Sequence, residues 1–268
     1  MVLVIDIGNT NIKLGYYQED LLLHKSRIET DVQKKQNDYL RLIETLFFAN
    51  KINPTLFDQV VISSVVLQLT PVITDVIKTL TGKNSYVVNH HSFQNMPINV
   101  DHPEQIGTDR LINALAGYHL YQQGLIVMDC GTATTFNVID DLGTFQGGVI
   151  TTGLRLFQQA LSSQTSKLPE ITLEPPKNVI GKNTVQSMQS GIIFGYAGMV
   201  DSIIDRIHQE LESPVKVIAT GGLARLIQPV SGKIEKVIDD LTLRGLYLIS
   251  QNTGKNDHKL VPKKNKQI

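Results

Sequence analysis

The chain has 268 residues, a length that allows two small domains or one large domain with a substantial buried core. Lys and Arg number 25, as do Asp and Glu, so a formal net charge of zero gives no electrostatic reason to expect nucleic acid or an anionic membrane as partner. The single cysteine, Cys130, excludes an intramolecular disulfide and a cysteine-based zinc site. We find no secretory signal and no apolar run near the ~20 residues of a membrane span, so a cytoplasmic location is expected.

The first half of the chain alternates strand and helix patterns. Three short strands separated by polar turns are predicted within residues 2–28. Apolar residues at helical spacing predict a helix over 37–51, and a second helix is predicted to begin at Thr70, a capping residue followed by proline. Further strands are predicted at 60–66 and 86–88. The predicted order is therefore β-β-β-α-β-α-β.

The second half repeats the opening of the first. Three strands, two helices and a further strand are predicted, in that order, at 125–130, 134–139, 144–150, 152–163, 184–212 and 215–219. A helix over 109–122 joins the halves. The motifs Asp-Ile-Gly-Asn-Thr at 6–10 and Asp-Cys-Gly-Thr-Ala at 129–133 both follow an apolar run. We interpret them as a divergent duplication, with coincidence as the alternative because the shared stretch is short.

The expected domain division follows from this duplication. We predict an N-terminal half over 1–115 and a C-terminal half over 116–254, whose last helix can pack back on the first half. Residues 255–268 are rich in Lys and Asn and lack apolar periodicity, so they are expected to form a flexible basic tail.

The turn after the first strand carries the first candidate binding residues. Asp6 ends an apolar strand, and Gly8 lets the backbone turn sharply and approach a ligand. The backbone N–H groups of this turn, with Thr10 and Asn11, can surround phosphate oxygens, and Lys13 adds a positive charge. An ordinary β-hairpin is the alternative, because Asn and Gly are common turn residues. A hairpin explains less well why an Asp ends an apolar strand in two places.

The second loop, over 129–135, is richer in hydroxyl groups and contains no Lys or Arg. Two such loops, one in each half, can grip the β- and γ-phosphates of a nucleotide from both sides. Phosphoryl transfer needs mostly positioning and charge neutralisation, and the loops supply the positioning. The carboxylate of Asp129 can hold a cation directly or through water.

A third motif, Gly-Thr-Asp-Arg at 107–110, stands at the start of the helix that joins the halves. Asp109 can be a simple cap there, since Asp residues at helix N-termini are common. Beside two phosphate loops it can instead accept the proton of an attacking alcohol. Arg110 can bind a carboxylate through two hydrogen bonds.

The fourth candidate, Ala-Thr-Gly-Gly-Leu at 219–223, lies between a predicted strand and a short helix. Its two glycines can let an adenine ring lie against bare backbone. A plain strand-to-helix turn explains them equally well, so both interpretations stay open.

Taken together, these motifs resemble those of the type III pantothenate kinase family. The order and approximate spacing of that family are matched at 6–10, 107–110 and 129–132. Similar motifs also stand at 181–184 (Gly-Lys-Asn-Thr), at 219–222, and in Leu-Thr-Leu-x-Gly-Leu at 241–246. The resemblance covers residues 2 to about 250. Each motif alone is weak, but their joint order is specific.

The resemblance implies a fold and an activity. The fold is the α/β acetate and sugar kinase/actin-like fold, with two ribonuclease-H-like domains whose mixed central sheets are flanked by helices. The activity is ATP-dependent phosphorylation of pantothenate, the first step of coenzyme A biosynthesis. A homodimer is implied, with magnesium carried by ATP and a monovalent cation, either potassium or ammonium.

The resemblance also implies roles for individual residues. ATP would be bound by Asp6, Ile7, Gly8, Asn9, Thr10, Asn11, Ile12, Lys13 and Thr132. Pantothenate would be bound by Gly107, Thr108, Asp109, Arg110 and Thr184, the last of these across the dimer. Asp109 would be the general base, and Asp129 would hold the monovalent cation.

One position departs from the family pattern. The family usually has a Tyr in a Pro-x-x-Tyr-x-x-Pro segment before Gly-x-Asp-Arg, whereas this chain has Val100 within 97–103. Because valine has no hydroxyl group, one substrate contact is missing or supplied elsewhere. The alternatives to pantothenate kinase are an enzyme of the same fold, such as a kinase for another small alcohol or a phosphatase, and a non-catalytic nucleotide-binding accessory or regulatory relative.

Overall fold

The computed structural model describes residues 1–165, 167–211 and 214–252. They form two compact units, one made of residues 1–119 and 240–252, and the other of the described residues within 120–239. The boundary predicted after residue 115 falls inside a helix whose residues 111–118 are all buried, and the units divide only after that stretch. The tail predicted over 255–268 lies outside the described residues.

The first unit is built on a five-stranded mixed sheet. Its elements are β1 (Val2–Ile7), β2 (Asn11–Gln18), β3 (Leu21–Glu29), α1 (Gln36–Ala49), β4 (Gln59–Ser64), α2 (Leu69–Thr81), β5 (Ser85–Val87) and α3 (Thr108–Tyr121). The strand order is β3-β2-β1-β4-β5, with β2 antiparallel to β1 and β3, and β4 parallel to β1 and β5. The predicted order β-β-β-α-β-α-β is confirmed.

The apolar run at the start of the chain becomes the central strand of this sheet. Leu3, Ile5 and Ile7 of β1 are fully buried, and they share one apolar cluster with Ile43 of α1 and Ile73 of α2. A strand with parallel and antiparallel neighbours and helices nearby is buried on both faces, which explains why its sequence is continuously apolar rather than alternating. The core therefore holds the carboxyl end of β1, where Asp6 lies, in a fixed position.

The last helix, α7 (Leu241–Ser250), packs on β1, β2 and β4 of the first unit. Gly245 lies close to α3, since a Cβ there would lie 2.5 Å from the carbonyl oxygen of Ile112. Beside this contact, the buried Thr242 hydroxyl donates a hydrogen bond to Asn113 Oδ1 at 2.8 Å. Since buried polar groups are costly unless paired, this bond fixes α7 against α3.

The second unit repeats the topology of the first. Its elements are β6 (Leu125–Cys130), β7 (Ala133–Ile139), β8 (Phe145–Thr152), α4 (Leu154–Ser163), α5 (Thr184–Glu210), β9 (Lys216–Thr220), α6 (Ala224–Ile227) and β10 (Lys236–Val237). The order β10-β9-β6-β7-β8 is that of the first sheet read from the other end, with the same parallel and antiparallel neighbours. The central strands β1 and β6 are therefore equivalent, as the duplication of their motifs predicts. Strand β10 was not predicted, because two residues carry no pattern.

Most helices begin within two residues of their predicted positions, and α2 shows why such boundaries shift. Gln68, not Thr70, occupies its N-cap, and no side chain caps the helix. The Thr70 hydroxyl instead donates to Ser64 Oγ at 2.9 Å, so it joins the helix to the end of β4. No helix in the described ranges combines the length and apolarity that crossing a membrane requires.

Candidate active site

The carboxyl ends of β1 and β4 bring the first group of predicted residues together. Asp6 and Ser63 are partners in the parallel register of these strands, so their side chains share one face of the sheet. Ser63 Oγ lies 3.5 Å from Thr108 Oγ1, at the first turn of α3. The register of the sheet and the start of α3 thereby bring Asp109 into the neighbourhood of Asp6.

Asp6 is a buried carboxylate with charged neighbours of both signs. Its Oδ2 lies 3.5 Å from Lys13 Nζ, and its side chain is 11% exposed. Burial raises the pKa of Asp6, the positive charge of Lys13 lowers it, and the carboxylate of Asp109 raises it. Two carboxylates near a single ammonium group create a place that favours a further cation, such as a magnesium ion bound to phosphate.

The turn between β1 and β2 is a tight hairpin held by a hydrogen bond of its own and by Thr30, which follows β3. The Gly8 N–H donates to the Asn11 carbonyl at 3.0 Å, and the Thr30 hydroxyl donates to the Gly8 carbonyl at 2.6 Å. The Thr30 N–H donates to the Thr10 carbonyl at 3.0 Å. Asn9 and Thr10 are exposed at the tip. A rigid hairpin with exposed polar residues is compatible with phosphate binding, which stays a prediction.

The Gly107–Arg110 motif is organised by the side chain of Asp109. Asp109 Oδ1 occupies the space that a Cβ at Gly107 would need, so only glycine allows this orientation. The Gly107 carbonyl accepts a hydrogen bond from the Arg110 N–H at 3.0 Å, which starts the helix. Burial lowers the pKa of Arg110, and the Asp109 carboxylate opposes this shift. Both charged groups lie at a helix N-terminus, where the macrodipole favours the carboxylate.

In the second unit, the carboxylate of Asp129 lies against the turn after β9. Gly221 has a φ of +94°, and a Cβ there would lie 2.5 Å from Asp129 Oδ1 and 2.7 Å from the Cys130 backbone. Glycine is required for both reasons, the left-handed backbone and the close approach. The turn at 219–223 therefore makes room for Asp129, a role that neither sequence interpretation included.

Thr132 is exposed in the loop between β6 and β7, where Gly153 supports its backbone. A Cβ at Gly153 would overlap the Thr132 carbonyl and would lie 2.5 Å from the Gly131 carbonyl oxygen. Thr134 follows two residues after Thr132, and its hydroxyl group forms a buried hydrogen bond with the Tyr196 hydroxyl that joins β7 to α5. The loop is thus held close to the start of α4 and to α5 while its tip stays accessible.

Thr184 is the first residue of α5 and is exposed. Asn183 caps this helix, its side chain accepting a hydrogen bond from the Gln186 N–H at 2.9 Å. Gly181 is needed because a Cβ there would lie 2.7 Å from Ser187 Cα. The Gly-Lys-Asn-Thr motif is therefore explained locally as a helix start, and the contact of Thr184 with substrate stays a prediction.

The predicted site residues divide between the two units. The first unit contains 6–13 and 107–110, which meet at the ends of β1 and β4, and the second contains Asp129, Thr132 and Thr184.

Sequence reasoning missed the residues that support the site, above all Ser63, Thr30 and Gly153. For Ser63, the sequence contains a signal in the form of an equivalent residue in the second half. It pairs with Asp6 as Thr220 pairs with Asp129, and both hydroxyl-bearing residues are buried. Each of these residues stands at or near the end of an apolar strand, as Asp6 and Asp129 do. The sequence carries no comparable signal for Thr30 and Gly153, because their contacts come from loops far from either motif.

The described part of the chain contains no cluster of three or more His, Cys, Asp or Glu residues arranged as metal ligands. Phosphate, water and backbone carbonyl groups are further sources of oxygen ligands for a cation. Magnesium and potassium both accept such oxygen donors, and magnesium usually reaches a kinase site with its nucleotide.

Comparison with solved structures supports the fold. A ROK hexokinase from Thermus thermophilus aligns with a TM-score of 0.51 at 14% identity, covering 92% of this chain and 97% of that one. Component A of (R)-2-hydroxyglutaryl-CoA dehydratase from Acidaminococcus fermentans aligns with a TM-score of 0.56 at 14% identity, covering 93% and 98%. Together with the two mixed sheets, these likenesses identify the actin-like fold with two ribonuclease-H-like domains, as predicted.

Sequence comparison is more specific. A type III pantothenate kinase from Geobacter sp. (strain M21) is 45% identical over 251 residues, covering 94% of this chain and 99% of that protein. One from Syntrophus aciditrophicus is 40% identical over 249 residues, covering 93% and 98%. The model of the type III pantothenate kinase family matches residues 2–206. This similarity over nearly the full length agrees with the motifs at Asp6, Asp109 and Asp129. The chain therefore belongs to the type III pantothenate kinase family.

Proposed function

We propose that the protein transfers the γ-phosphate of ATP to the primary hydroxyl of pantothenate, giving 4′-phosphopantothenate at the start of coenzyme A biosynthesis. The observation that carries the proposal is the approach of Asp109, at the N-terminus of α3, to the buried Asp6 at the end of β1. The carboxylate of Asp109 is then available for proton transfer, and that of Asp6 beside it favours a cation. The names of the relatives support pantothenate as the alcohol.

In the proposed reaction, Asp109 accepts the proton of the pantothenate hydroxyl as its oxygen attacks the γ-phosphorus. The bond from that phosphorus to the bridging oxygen of ADP breaks in line with the attack. Such a reaction depends mainly on positioning and on neutralising the phosphate charge. Lys13 supplies one positive charge, and magnesium carried by ATP supplies the rest. The turn of residues 8–11 positions the phosphates from the first unit.

In the second unit, we assign Thr132 to the phosphates and Asp129 to a monovalent cation, either potassium or ammonium. The family resemblance supports this assignment, and so does the repeated topology: Asp129 occupies in β6 the position of Asp6 in β1. Gly221 and Gly131 both lie beside its carboxylate, and neither has a side chain that would block the approach of a cation.

Pantothenate carries a carboxylate as well as its alcohol, and we assign the carboxylate to Arg110. A guanidinium group can bind a carboxylate through two parallel hydrogen bonds. Arg110 directly follows Asp109, so one anchor for the substrate and the proton acceptor lie on the same helix turn. Gly107 and Thr108 complete the contact. Val100 cannot donate the hydroxyl contact of the usual Tyr, so Arg110 carries more of the recognition.

The proposal includes a homodimer in the cytoplasm, where ATP is available. The assembly is supported by the family resemblance and by apolar side chains around Thr184. Val179, Ile180 and Val185 are 68%, 76% and 41% exposed, respectively. Apolar residues close together on a surface are typical of an interface between subunits. Light scattering of the purified protein tests the dimer.

The deciding experiment is an ADP-release assay with ATP, magnesium, potassium and a panel of small alcohols. Pantothenate should give the highest kcat/KM, and mass spectrometry should detect phosphopantothenate. A higher kcat/KM for another alcohol would make the protein a kinase of the same fold with a different substrate. ATP binding by calorimetry without turnover on any member of the panel would favour a non-catalytic accessory protein.

A further inference from the structure

We propose that His90 is a positioning residue for the Gly107–Arg110 motif. Its imidazole holds the main chain immediately before Gly107 and so sets how Asp109 and Arg110 face the alcohol substrate. This inference rests on the proposed roles of Asp109 and Arg110.

The contact is a hydrogen bond between His90 Nε2 and the carbonyl oxygen of Ile106, at 2.9 Å. A carbonyl can only accept, so Nε2 must carry the proton, which it does in one neutral tautomer and in the imidazolium form. Ile106 itself is 7% exposed and directly precedes Gly107. The bond therefore acts on the last peptide group before the glycine whose backbone makes room for the Asp109 carboxylate.

His90 is well anchored to act in this way. It is the first residue of a short 3₁₀ helix, His90–Phe93, that follows β5. The Asn89 N–H donates to Ser92 Oγ at 3.1 Å, and Ser92 Oγ also bonds the Tyr86 hydroxyl at 2.8 Å. Phe93 is 2% exposed and fixes the turn in the core. These contacts fix the short helix and therefore the position of the His90 imidazole.

The same bond closes the base of a loop. Residues 89–106 leave the sheet after β5 and return to α3, and His90 ties the first part of this loop to its last residue. Val100 lies inside the loop, where the family usually has a Tyr. One hydrogen bond therefore restrains both the segment around Val100 and the entrance to the Asp109 motif.

Loss of the bond should affect the alcohol substrate more than the nucleotide. The ATP residues of the first unit, 6–13, are held by β1, β2 and the Thr30 hydrogen bonds, which do not involve the loop. A shift of the main chain near Gly107 would instead displace Asp109 and Arg110, and a displacement of about 1 Å can lower a rate by roughly 100-fold. His90 is itself exposed, so its replacement removes little buried surface.

The test compares three variants with the parent protein: His90→Ala, His90→Gln and His91→Ala. His91 is the matched control, because it is the next residue in the same short helix and is also exposed. We expect His90→Ala to lower kcat/KM for pantothenate by roughly 10- to 100-fold, with KM for ATP within about twofold of the parent. His90→Gln should recover most of the loss, since its amide N–H can donate to the same carbonyl. His91→Ala should behave as the parent.

A second readout does not depend on the substrate. The amides of Arg110 and Leu111 donate to the Gly107 carbonyl, so their hydrogen exchange reports on the start of α3. Exchange at these amides should be faster in His90→Ala and unchanged in His91→Ala. Unchanged exchange in His90→Ala, or a His90→Gln variant as impaired as His90→Ala, would overturn the positioning role. If the parent does not phosphorylate pantothenate, the proposed function fails, while the exchange result still decides the role of His90.

Discussion

Asp6 and Asp109 repel each other: burial raises the pKa of Asp6, and the carboxylate of Asp109 raises it further against the opposing charge of Lys13. The two residues belong to different elements, β1 and α3, and meet because α3 begins near the carboxyl end of β1. Keeping two carboxylates together works against folding. Such an arrangement is typical of a functional site that binds a cation.

The effect of Asp6 on stability should depend on pH. Because the pKa of Asp6 is raised by folding, the folded protein binds its proton more tightly than the unfolded chain. The carboxyl group therefore opposes folding increasingly as the pH rises above about 4, the ordinary pKa of Asp. Asp6→Asn should gain stability relative to the parent as the pH rises above about 4, measured by urea denaturation, while losing kinase activity. If the parent instead becomes more stable relative to Asp6→Asn as the pH rises, the ion pair with Lys13 contributes more than burial and repulsion. Asp75→Asn, at an exposed site on α2, is the control.

Asp109→Asn should lower turnover by about 10²- to 10⁴-fold, the usual contribution of a general base. The amide keeps the shape of the side chain and can still lie against Gly107, so the melting temperature should change little. Steady-state kinetics with saturating ATP and pantothenate measure the effect, and circular dichroism checks the fold. Turnover near that of the parent would mean that Asp109 is not the general base and only stabilises the start of the helix.

Gly8→Val should abolish ATP binding. A Cβ at Gly8 would lie 3.2 Å from the Asn11 carbonyl oxygen, and valine adds two methyl groups to it within the turn assigned to phosphate. Gly8→Ala adds only the Cβ and should show an intermediate loss. Calorimetry with ATP compares the three proteins after each has been shown to fold. Equal affinity in all of them would make the turn a structural hairpin alone.

Gly221→Ala should destabilise the protein, whereas Gly222→Ala should not. The first change places a Cβ 2.5 Å from Asp129 Oδ1 on a backbone with φ of +94°, and a strained backbone alone costs about 1–3 kcal/mol. At Gly222 a Cβ would meet no described atom within 4 Å, so the change should stay within about 0.5 kcal/mol. Denaturant unfolding of the two variants provides the comparison. Equal stability would show that the turn can rearrange without cost.

Kinase activity should increase with potassium at constant ionic strength and fixed magnesium, and sodium should substitute poorly. The physical reason is the assignment of Asp129 to a weakly held monovalent cation that organises the phosphate loop. Asp129→Asn should lose most activity and also the response to potassium. Equal rates in sodium and potassium would contradict the assignment, as would an Asn variant that responds to potassium as the parent does.

Local sequence determined much of this protein. The continuous apolar run before Asp6 predicts a strand that ends in a turn, and a similar run before Asp129 predicts its equivalent in the second half. Helices 36–49 and 108–121 follow from apolar spacing to within two residues. These features depend on neighbours a few positions apart, so the chain itself carries enough information to predict them.

The tertiary structure decided which residues act together. Nothing in the spacing of the sequence places Asp109 beside Asp6, Gly221 against Asp129, or His90 on the Ile106 carbonyl. Where α7 packs in the first unit, Gly245 lies against Ile112, and the buried Thr242 hydroxyl pairs with Asn113. Each of these contacts arises from sheet register and helix packing between segments far apart in the chain. Local periodicity sets which face of an element is buried but does not specify the segment that covers it.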